Sequence, residues 1–404
     1  MSNNLTDILV QQFKKSFELS PVQAQLVQTA VFFGYFCMAL PAAVCMRRWG
    51  YKFGILAGLC LFGTGTLMFW PAAVIGRYWL MLAALFVVGC GSATLETAAN
   101  PFIAESGSSA TSERRLNFSQ AFNPPGTIIG VLIGTFFIFS GVELSPVKTV
   151  FMKSQGTYAH YLHGEIMRVV PTYVSLGCVV LSLATIIGFA KFPDMAQDQG
   201  SQQSGSLILN IASLLRVPRV RASIIAQFCY CGAQVSTWSA FIPYVRQYTR
   251  SSERTAGLLL TGNLIALAIG RLVSTGAMRW LNPARMMGSY AIVNILLLAV
   301  AIVHPGLLGV GAILLTSFFM SIMFPTIFAM GIKGLGRDTK LGSSLIVMSV
   351  VGAAIIPPVL GLVAKRSGSY ALGYTVVSAC YFVVAIYSLS ARSPVILHVV
   401  PEPI

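Results

Sequence analysis

Charged side chains are scarce in this sequence, which argues against an ordinary soluble enzyme. They make up 10% of the 404 residues, whereas soluble domains carry roughly 25%. Hydrophobic residues make up 55% and form long uncharged blocks, such as residues 55–74 and 169–190, which excludes a disordered chain. Blocks of about 20 apolar residues that recur along a chain are typical of helices that cross a bilayer. The sequence therefore predicts an all-α, multi-pass membrane protein.

Several functional motifs are also missing. The sequence has no CxxC pair, P-loop or GxSxG motif, and no cluster of His, Cys and Asp at metal-ligand spacing. Its eight cysteines lie almost wholly in apolar segments, so we interpret them as small buried side chains. Polar residues follow Met1, so no cleavable signal peptide is predicted. We expect no enzymatic activity, no metal and no other cofactor, and an ion gradient rather than ATP as the source of any driving force.

The net charge of +15 comes from 27 Lys and Arg against 12 Asp and Glu. These bases form short clusters between apolar blocks, without a continuous stripe, so nucleic acid is not an expected partner. Lys and Arg are favoured in the cytoplasmic loops of membrane proteins. The alternate loops that include residues 47–52 and 192–218 carry more of them than the opposite loops do. This bias places the loop 192–218 in the cytoplasm. We expect a monomer in the lipid bilayer.

Apolar blocks punctuated by charged residues, Pro or Gly predict eleven complete membrane spans. They are 22–46, 52–75, 78–104, 116–140, 169–191, 219–245, 255–280, 285–304, 306–332, 341–364 and 369–391. Before them, residues 1–13 would form a helix of about 20 Å, too short for a hydrocarbon core of about 30 Å. The loop charges would then place the polar start of this segment inside the membrane. We therefore expect the first half of helix 1 to lie upstream, or to be missing from a truncated gene product.

The two halves of the sequence resemble each other. Met46-Arg47-Arg48-Trp49 matches Met278-Arg279-Trp280, and Pro124-Pro125 matches Pro357-Pro358 at nearly the same spacing. Between the halves, residues 197–206 are rich in Gln, Ser and Gly, which is typical of a flexible linker. Two parallel six-helix repeats with a central loop indicate the major-facilitator fold. We predict an N-terminal bundle at 1–191, a cytoplasmic linker at 192–218, a C-terminal bundle at 219–391 and a tail at 392–404.

Ionisable residues within membrane spans are functional candidates, because each costs about 2.5–3.5 kcal/mol on insertion scales. Asp7 shares a polar helix face with Asn3 and Gln11, and Asn4 lies three residues before it. Such a stripe is typical of a helix that lines a water-filled cavity; a soluble amphipathic tail is the alternative. Arg271 follows Gly270 within a predicted span. We expect it to hold a helix end or to control a conformational change.

Glu96 is the second candidate carboxylate. It shares a helix face with Asn100, four residues later. Pro101 lacks an N–H and frees the carbonyl of Thr97. A carboxylate, an amide and a free carbonyl would therefore lie together in the bilayer, where they could bind a polar ligand. A structural pairing of Glu96 with a helix end is the alternative.

Amide side chains extend this candidate site. Gln120 and Asn123 precede Pro124-Pro125, and the second proline also frees the Ala121 carbonyl. Amides beside a broken helix suit hydroxyl-rich ligands, because each offers a donor and an acceptor. Interhelical hydrogen bonding is the alternative. In the second half, Gln227, Gln234 and Trp238 lie on roughly one helix face. The amides could bind a sugar and the Trp ring could stack on it, or these side chains could simply pack in the core. Asn263 is a further amide that could line the same cavity.

Four segments of the chain resemble the L-fucose:proton symporter (fucose permease) family and its glucose/galactose-porter relatives. They are 3–9 (NNLTDIL), 95–102 (LETAANPF), 227–234 (QFCYCGAQ) and 325–333 (PTIFAMGIK). The resemblance implies a twelve-helix major-facilitator protein of the bacterial inner membrane that imports L-fucose or a related monosaccharide together with protons. It also implies that Asp7 is the proton-linked carboxylate, that Glu96 recognises the sugar, and that Gln120 and Asn123 line the sugar site.

Two adjacent positions depart from the resemblance. Before the PTIF string we expect a Gln-Tyr pair, but this chain has Met323-Phe324. The change would remove an amide and a hydroxyl that could bind a sugar, so a different or less hydroxylated sugar is possible. A glucose/galactose-type porter, and a non-transporting receptor or inactive truncated member of the same fold, are the alternative functions.

Overall fold

The computed structural model describes residues 9–10, 12–19, 21–133, 137–138, 146–192, 207–251 and 253–390. This part of the chain is almost entirely helical and contains no β-strand. The predicted site residues Asn4 and Asp7 lie outside the described residues, as do residues 193–206 of the predicted linker and the predicted tail at 392–404.

A short helical segment at residues 12–16 precedes the long helices of the N-terminal half. The helices that follow are α1 (Pro21–Leu67), α2 (Phe69–Ile75), α3 (Tyr78–Glu105), α4 (Ser112–Gln120), α5 (Asn123–Ile133), α6 (Pro146–Ser154), α7 (Tyr158–Met167) and α8 (Val169–Phe189). A 3₁₀ turn, Ser109–Thr111, precedes α4.

The C-terminal half continues from residue 207. Its helices are α9 (Leu207–Arg216), α10 (Pro218–Ser239), α11 (Phe241–Thr249), α12 (Glu253–Ala277), α13 (Pro283–Val303), α14 (Leu307–Met320), α15 (Met323–Ile332), α16 (Thr339–Met348), α17 (Gly352–Ser367) and α18 (Tyr370–Ser390). Two 3₁₀ turns, Gly336–Asp338 and Ser349–Val351, flank α16.

Eight helical segments of the described chain are long and apolar enough to cross a membrane. The first of them, Leu26–Ile75, contains two of the predicted spans, because α1 is interrupted at Gly50 (φ 78°, ψ 176°). The predicted spans 116–140 and 219–245 are not among the eight. The first is divided after α4 and is described only in part, and the second carries Arg219 and Arg221 at its start.

Part of the predicted linker is helical. Residues 207–216 form the helix α9. The whole range 192–218 was predicted to be a linker, because the Gln-, Ser- and Gly-rich residues just before this helix favour a flexible chain. Ile211 and Leu214 lie three residues apart and give this segment an apolar face. Leu214 is buried in a cluster that also contains Met46 of the N-terminal half and Leu341 of the C-terminal half. The helix forms because this face packs against the rest of the protein.

Glycines allow α3 to pack closely against both segments of α1. A Cβ at Gly89 would collide with the Val31 carbonyl, and a Cβ at Gly91 would collide with the backbone of Phe62. Small residues at such contacts let helix backbones approach each other, which stabilises helix pairs in a membrane. These two contacts hold the middle of α3, one to two turns before Glu96, in a fixed position.

The Gly91→Ala variant should therefore be less stable than the wild type by about 1–3 kcal/mol, the usual cost of overpacking. The control is Gly188→Ala in α8, because a Cβ at Gly188 meets no atom within 4 Å. Thermal unfolding of the purified protein in detergent measures both effects. Equal melting temperatures for the two variants would contradict the close contact at Gly91.

Candidate functional site

Glu96 lies at the boundary between the two halves. Its Oε1 accepts a hydrogen bond of 2.9 Å from the hydroxyl of Tyr35 in α1. Its Oε2 is buried and has no hydrogen-bond partner among the described residues. Cys231 of α10, in the opposite half, lies close enough to interact electrostatically with both Glu96 and Tyr35. One oxygen of the carboxylate is therefore held within the N-terminal half, and the other is uncommitted.

A chain of amides connects α3 to α5. Gln120 Nε2 donates to Asn100 Oδ1 at 3.0 Å, and Asn123 Nδ2 approaches Gln120 Oε1 at 3.5 Å. Thr127 donates from its hydroxyl to Asn123 Oδ1 at 3.4 Å. Asn100 is 3% exposed and its Nδ2 has no partner within the described chain, whereas Asn123 is exposed. The structure thus brings Asn100, Gln120 and Asn123 together and leaves polar atoms available at both ends of the chain.

The break between α4 and α5 exposes a backbone carbonyl. Pro124 lacks an N–H, so the carbonyl of Gln120 has no partner in its own helix. Arg271 Nη1, from α12 in the opposite half, donates to this oxygen at 2.9 Å. The carbonyl of Ala121, which the second proline was expected to free, lies one residue later. The contact between the halves forms instead at the carbonyl that the first proline of the pair frees.

A second break, between α14 and α15, has the same construction. Pro325 leaves the carbonyl of Ser321 without a helical partner. Arg271 Nε donates to this oxygen at 2.8 Å, and the arginine is 5% exposed. One buried guanidinium therefore holds carbonyls at two helix breaks, one in each half. This geometry fits the expectation that Arg271 holds a helix end.

Further contacts join the halves near the end that the loop charges assign to the cytoplasm. The carbonyl of Thr97, which Pro101 frees as predicted, accepts a hydrogen bond of 3.4 Å from the Ser343 hydroxyl of α16. Two more contacts are those of Asn117 Nδ2 with Thr326 Oγ1 at 3.0 Å and of Lys333 Nζ with Glu113 Oε1 at 2.9 Å. The two halves are therefore closed against each other on this side.

Trp238 and Asn263 belong to one hydrogen-bonded chain in the C-terminal half. The indole Nε1 of Trp238 donates to Ser317 Oγ at 3.3 Å, and Ser317 donates to Asn263 Oδ1 at 3.0 Å. Asn263 is fully buried, and its Nδ2 has no partner in the described part of the chain. The Trp238 ring is only half-buried. Its polar edge thus contacts protein, while part of the side chain remains exposed.

The two predicted glutamines of α10 have different surroundings. Gln227 is fully buried, and its Nε2 lies 3.8 Å from Cys231 Sγ, one turn later. Its Oε1 has no partner among the residues that the structure describes. Gln234 is half-buried, two turns further along the helix. Gln227 therefore contacts Cys231, the residue of α10 that interacts electrostatically with Glu96.

The Met323-Phe324 pair does not present two side chains to a ligand. Met323 is fully buried, and Phe324 is half-buried. The ring of Phe324 lies edge-on to Tyr230, with 6.4 Å between ring centroids. The Tyr230 hydroxyl is buried without a partner within the described residues. Of these two residues, only Phe324 has a side chain that is partly exposed.

Tyr35, Ser317 and Tyr230 were not predicted as individual site residues. Tyr35 lies in an apolar stretch, where its hydroxyl was the only signal of a polar contact. Ser317 lies in an equally apolar stretch of α14. Their partners, Glu96 and Trp238, lie on other helices far away in the sequence, and a helical pattern carries no information about such pairs.

The Arg271→Lys variant should lose at least one of the two carbonyl contacts, because an ammonium lacks the divergent donors of a guanidinium. A hydrogen bond from a charged group contributes about 1.5–3 kcal/mol, so we expect a clearly lower melting temperature in detergent. Arg279→Lys is the matched control, since Arg279 is exposed in the turn after α12. If both variants melt like the wild type, the two carbonyl contacts do not stabilise this conformation.

Comparison with known proteins identifies the family. The model of the Major Facilitator Superfamily matches residues 1–339. The L-fucose-proton symporter of Escherichia coli (strain K12) is 37% identical over 390 residues, which cover 96% of this chain and 89% of that protein. The glucose/galactose transporter of Brucella abortus (strain 9-941) is 31% identical over 392 residues, covering 95% and 89%.

A solved structure gives the same assignment. The crystal structure of FucP, a transporter of this superfamily, in the outward conformation matches with a TM-score of 0.89 and 36% identity, over 97% of this chain and 95% of that one. The predictions of the fold and of the family resemblance are confirmed. This multi-pass membrane protein belongs to the Major Facilitator Superfamily, within the family that contains the L-fucose-proton symporters and the related glucose/galactose transporters.

Proposed function

We propose that this protein is a proton-coupled symporter that imports L-fucose or a related monosaccharide by alternating access. The names of its relatives support a sugar and a proton as the transported species, and membership of a transporter family supports transport rather than catalysis. The observation that carries the proposal is the uncommitted Oε2 of Glu96 at the boundary between the halves. In a bacterium, the site of action would be the inner membrane.

The chemistry of the N-terminal half suits a sugar. Glu96 Oε2 can accept a hydrogen bond from a sugar hydroxyl, while Asn100 Nδ2 can donate one. The exposed amide of Asn123 can do both. Buried polar atoms without partners are costly, so a ligand that satisfies them gains affinity. We therefore assign the hydroxyl-rich side of the sugar to Glu96, Asn100, Gln120 and Asn123.

Asp7 is the proposed proton carrier. A proton that neutralises it from the outside removes a charge from the low-dielectric membrane interior, so closing the site around the sugar becomes less costly. One proton that moves through 100 mV supplies about 2.3 kcal/mol. At about 1.4 kcal/mol for each tenfold step, this energy sustains a sugar gradient of roughly 40-fold. The two halves would then rock about the site and break the contacts at the cytoplasmic end.

The Asp7→Asn variant should lose concentrative uptake but retain exchange of labelled for unlabelled sugar, because exchange needs no net proton movement. Uptake and exchange of labelled L-fucose in energised membrane vesicles measure the two activities separately. Asp338→Asn is the matched control, since Asp338 lies in the 3₁₀ turn Gly336–Asp338, outside the predicted membrane spans. Unchanged accumulation by Asp7→Asn would remove Asp7 from the mechanism.

A glucose/galactose-type porter is the second candidate, supported by the Brucella relative. The Phe324→Tyr variant should raise the uptake of D-glucose and D-galactose relative to L-fucose by about 2–10-fold, because the added phenol hydroxyl can bind the 6-hydroxyl that a 6-deoxy sugar lacks. The control is Phe382→Tyr, because Phe382 of α18 is 60% exposed. A sugar panel in vesicles measures the ratios. Equal ratios in the wild type and Phe324→Tyr would show that this position does not select the sugar.

A non-transporting receptor on the same fold is distinguished by proton movement. A symporter takes up protons when sugar is added, so the medium around cells becomes more alkaline. A receptor binds sugar and leaves the external pH unchanged. Addition of L-fucose, D-glucose or D-galactose to lightly buffered cells that express the protein therefore separates the two functions.

A further inference from the structure

We propose that Tyr35 is a positioning residue that assigns separate tasks to the two oxygens of Glu96. Its hydroxyl occupies Oε1 and leaves Oε2 as the oxygen that takes a proton and meets the sugar. This inference rests on the proposed symport, and it adds a residue of α1 to the machinery of Glu96.

The geometry of Tyr35 supports a fixed hydrogen bond. The side chain is 3% exposed, and its hydroxyl lies 2.9 Å from Glu96 Oε1. An ionised carboxylate only accepts hydrogen bonds, so the phenol donates. Ser92, one turn before Glu96 on α3, lies beside the same hydroxyl. Gly89 and Gly91 hold α3 against α1, so the two partners lie on backbones that pack closely together.

The consequence concerns the site of protonation. Oε1 already accepts a hydrogen bond from the Tyr35 hydroxyl, whereas Oε2 is buried and has no partner among the described residues. A proton that reaches Glu96 therefore binds Oε2. In the neutral form Oε2–H can donate to a sugar hydroxyl, and in the ionised form Oε2 can accept from one. The Tyr35 hydrogen bond stabilises the ionised form, because it is donated to the charged group.

Other titratable groups near Glu96 are few in the described chain. Cys231 of α10 is the one that faces both Glu96 and Tyr35. Arg115 of α4 donates to carbonyls at the far end of α3, and Glu113 pairs with Lys333. Lys340 of α16 lies 5.0 Å from the centre of the Tyr51 ring. Tyr35 is therefore the described side chain that donates directly to the Glu96 carboxylate.

The test uses Tyr35→Phe, which removes the hydroxyl and keeps the ring. Exchange of labelled L-fucose across proteoliposomes is measured from acid to alkaline pH. All profiles are recorded in an Asp7→Asn background, which should retain exchange and removes the titration of the proposed proton carrier, so that Glu96 sets the alkaline limit. Without its donor, ionised Glu96 is less stable. The alkaline limb of the profile should therefore move to higher pH by about one to two pH units, the shift that corresponds to one hydrogen bond to a charged group.

The matched control is Tyr173→Phe in α8. Tyr173 is equally buried at 3% exposure, and its ring stacks on Phe69 with 4.1 Å between centroids. Its profile should superimpose on that of the Asp7→Asn parent. If Tyr35→Phe lowers exchange equally at every pH, or leaves the profile unchanged, Tyr35 is structural and the proposal is overturned.

If Tyr35→Phe does not accumulate in the membrane, Tyr35→Met replaces it, since methionine fills irregular space without a hydroxyl donor. The same shift supports the proposal, and an unshifted profile overturns it. The wild type reports on the underlying function: if it exchanges none of L-fucose, D-glucose and D-galactose, the proposed symport fails. If it exchanges sugar and the variants do not shift, only the role of Tyr35 fails.

Discussion

The backbone carbonyls that prolines leave without partners explain much of how the two halves meet. A helix in a membrane has to satisfy its backbone within the protein, because the hydrocarbon offers no hydrogen bonds. Pro101, Pro124 and Pro325 each free one carbonyl. Side chains take up all three: Ser343 binds that of Thr97, and Arg271 binds those of Gln120 and Ser321. The helix breaks and the contacts between the halves are thus parts of one arrangement.

This arrangement links the closed end of the protein to the candidate sugar site. Gln120 contributes its carbonyl to Arg271 and its side-chain amide to Asn100. Movement of the halves that breaks the Arg271 contact therefore acts on a residue that also belongs to the amide chain. A buried guanidinium without acceptors is costly, so Arg271 needs water or another carbonyl once the halves separate on this side. A side-chain donor such as Arg271 can exchange one acceptor for another, whereas the backbone N–H groups of a continuous helix keep their acceptors within that helix.

The sequence predicted the helices and the freed Thr97 carbonyl, because hydrophobic blocks and proline act locally along the chain. It did not predict the partners of these groups. Arg271 is 151 residues from Gln120, and Ser343 is 246 residues from Thr97, so only the folded helices bring them together. The same limit applies to α9, whose helix depends on the burial of Leu214. It also applies to Met323, which is fully buried although the next residue, Phe324, is partly exposed.

The two sides of the candidate site differ in chemistry, and this difference bears on the substrate. The N-terminal half offers the uncommitted Glu96 oxygen and the amides of Asn100 and Asn123. The C-terminal half offers the half-exposed rings of Phe324 and Trp238, whose indole N–H is already bonded to Ser317. Hydroxyls favour the first surface, and C–H groups favour the second. A monosaccharide with an apolar edge, such as a deoxyhexose, would satisfy both surfaces in one orientation, so Phe324 alone does not argue against a 6-deoxy sugar.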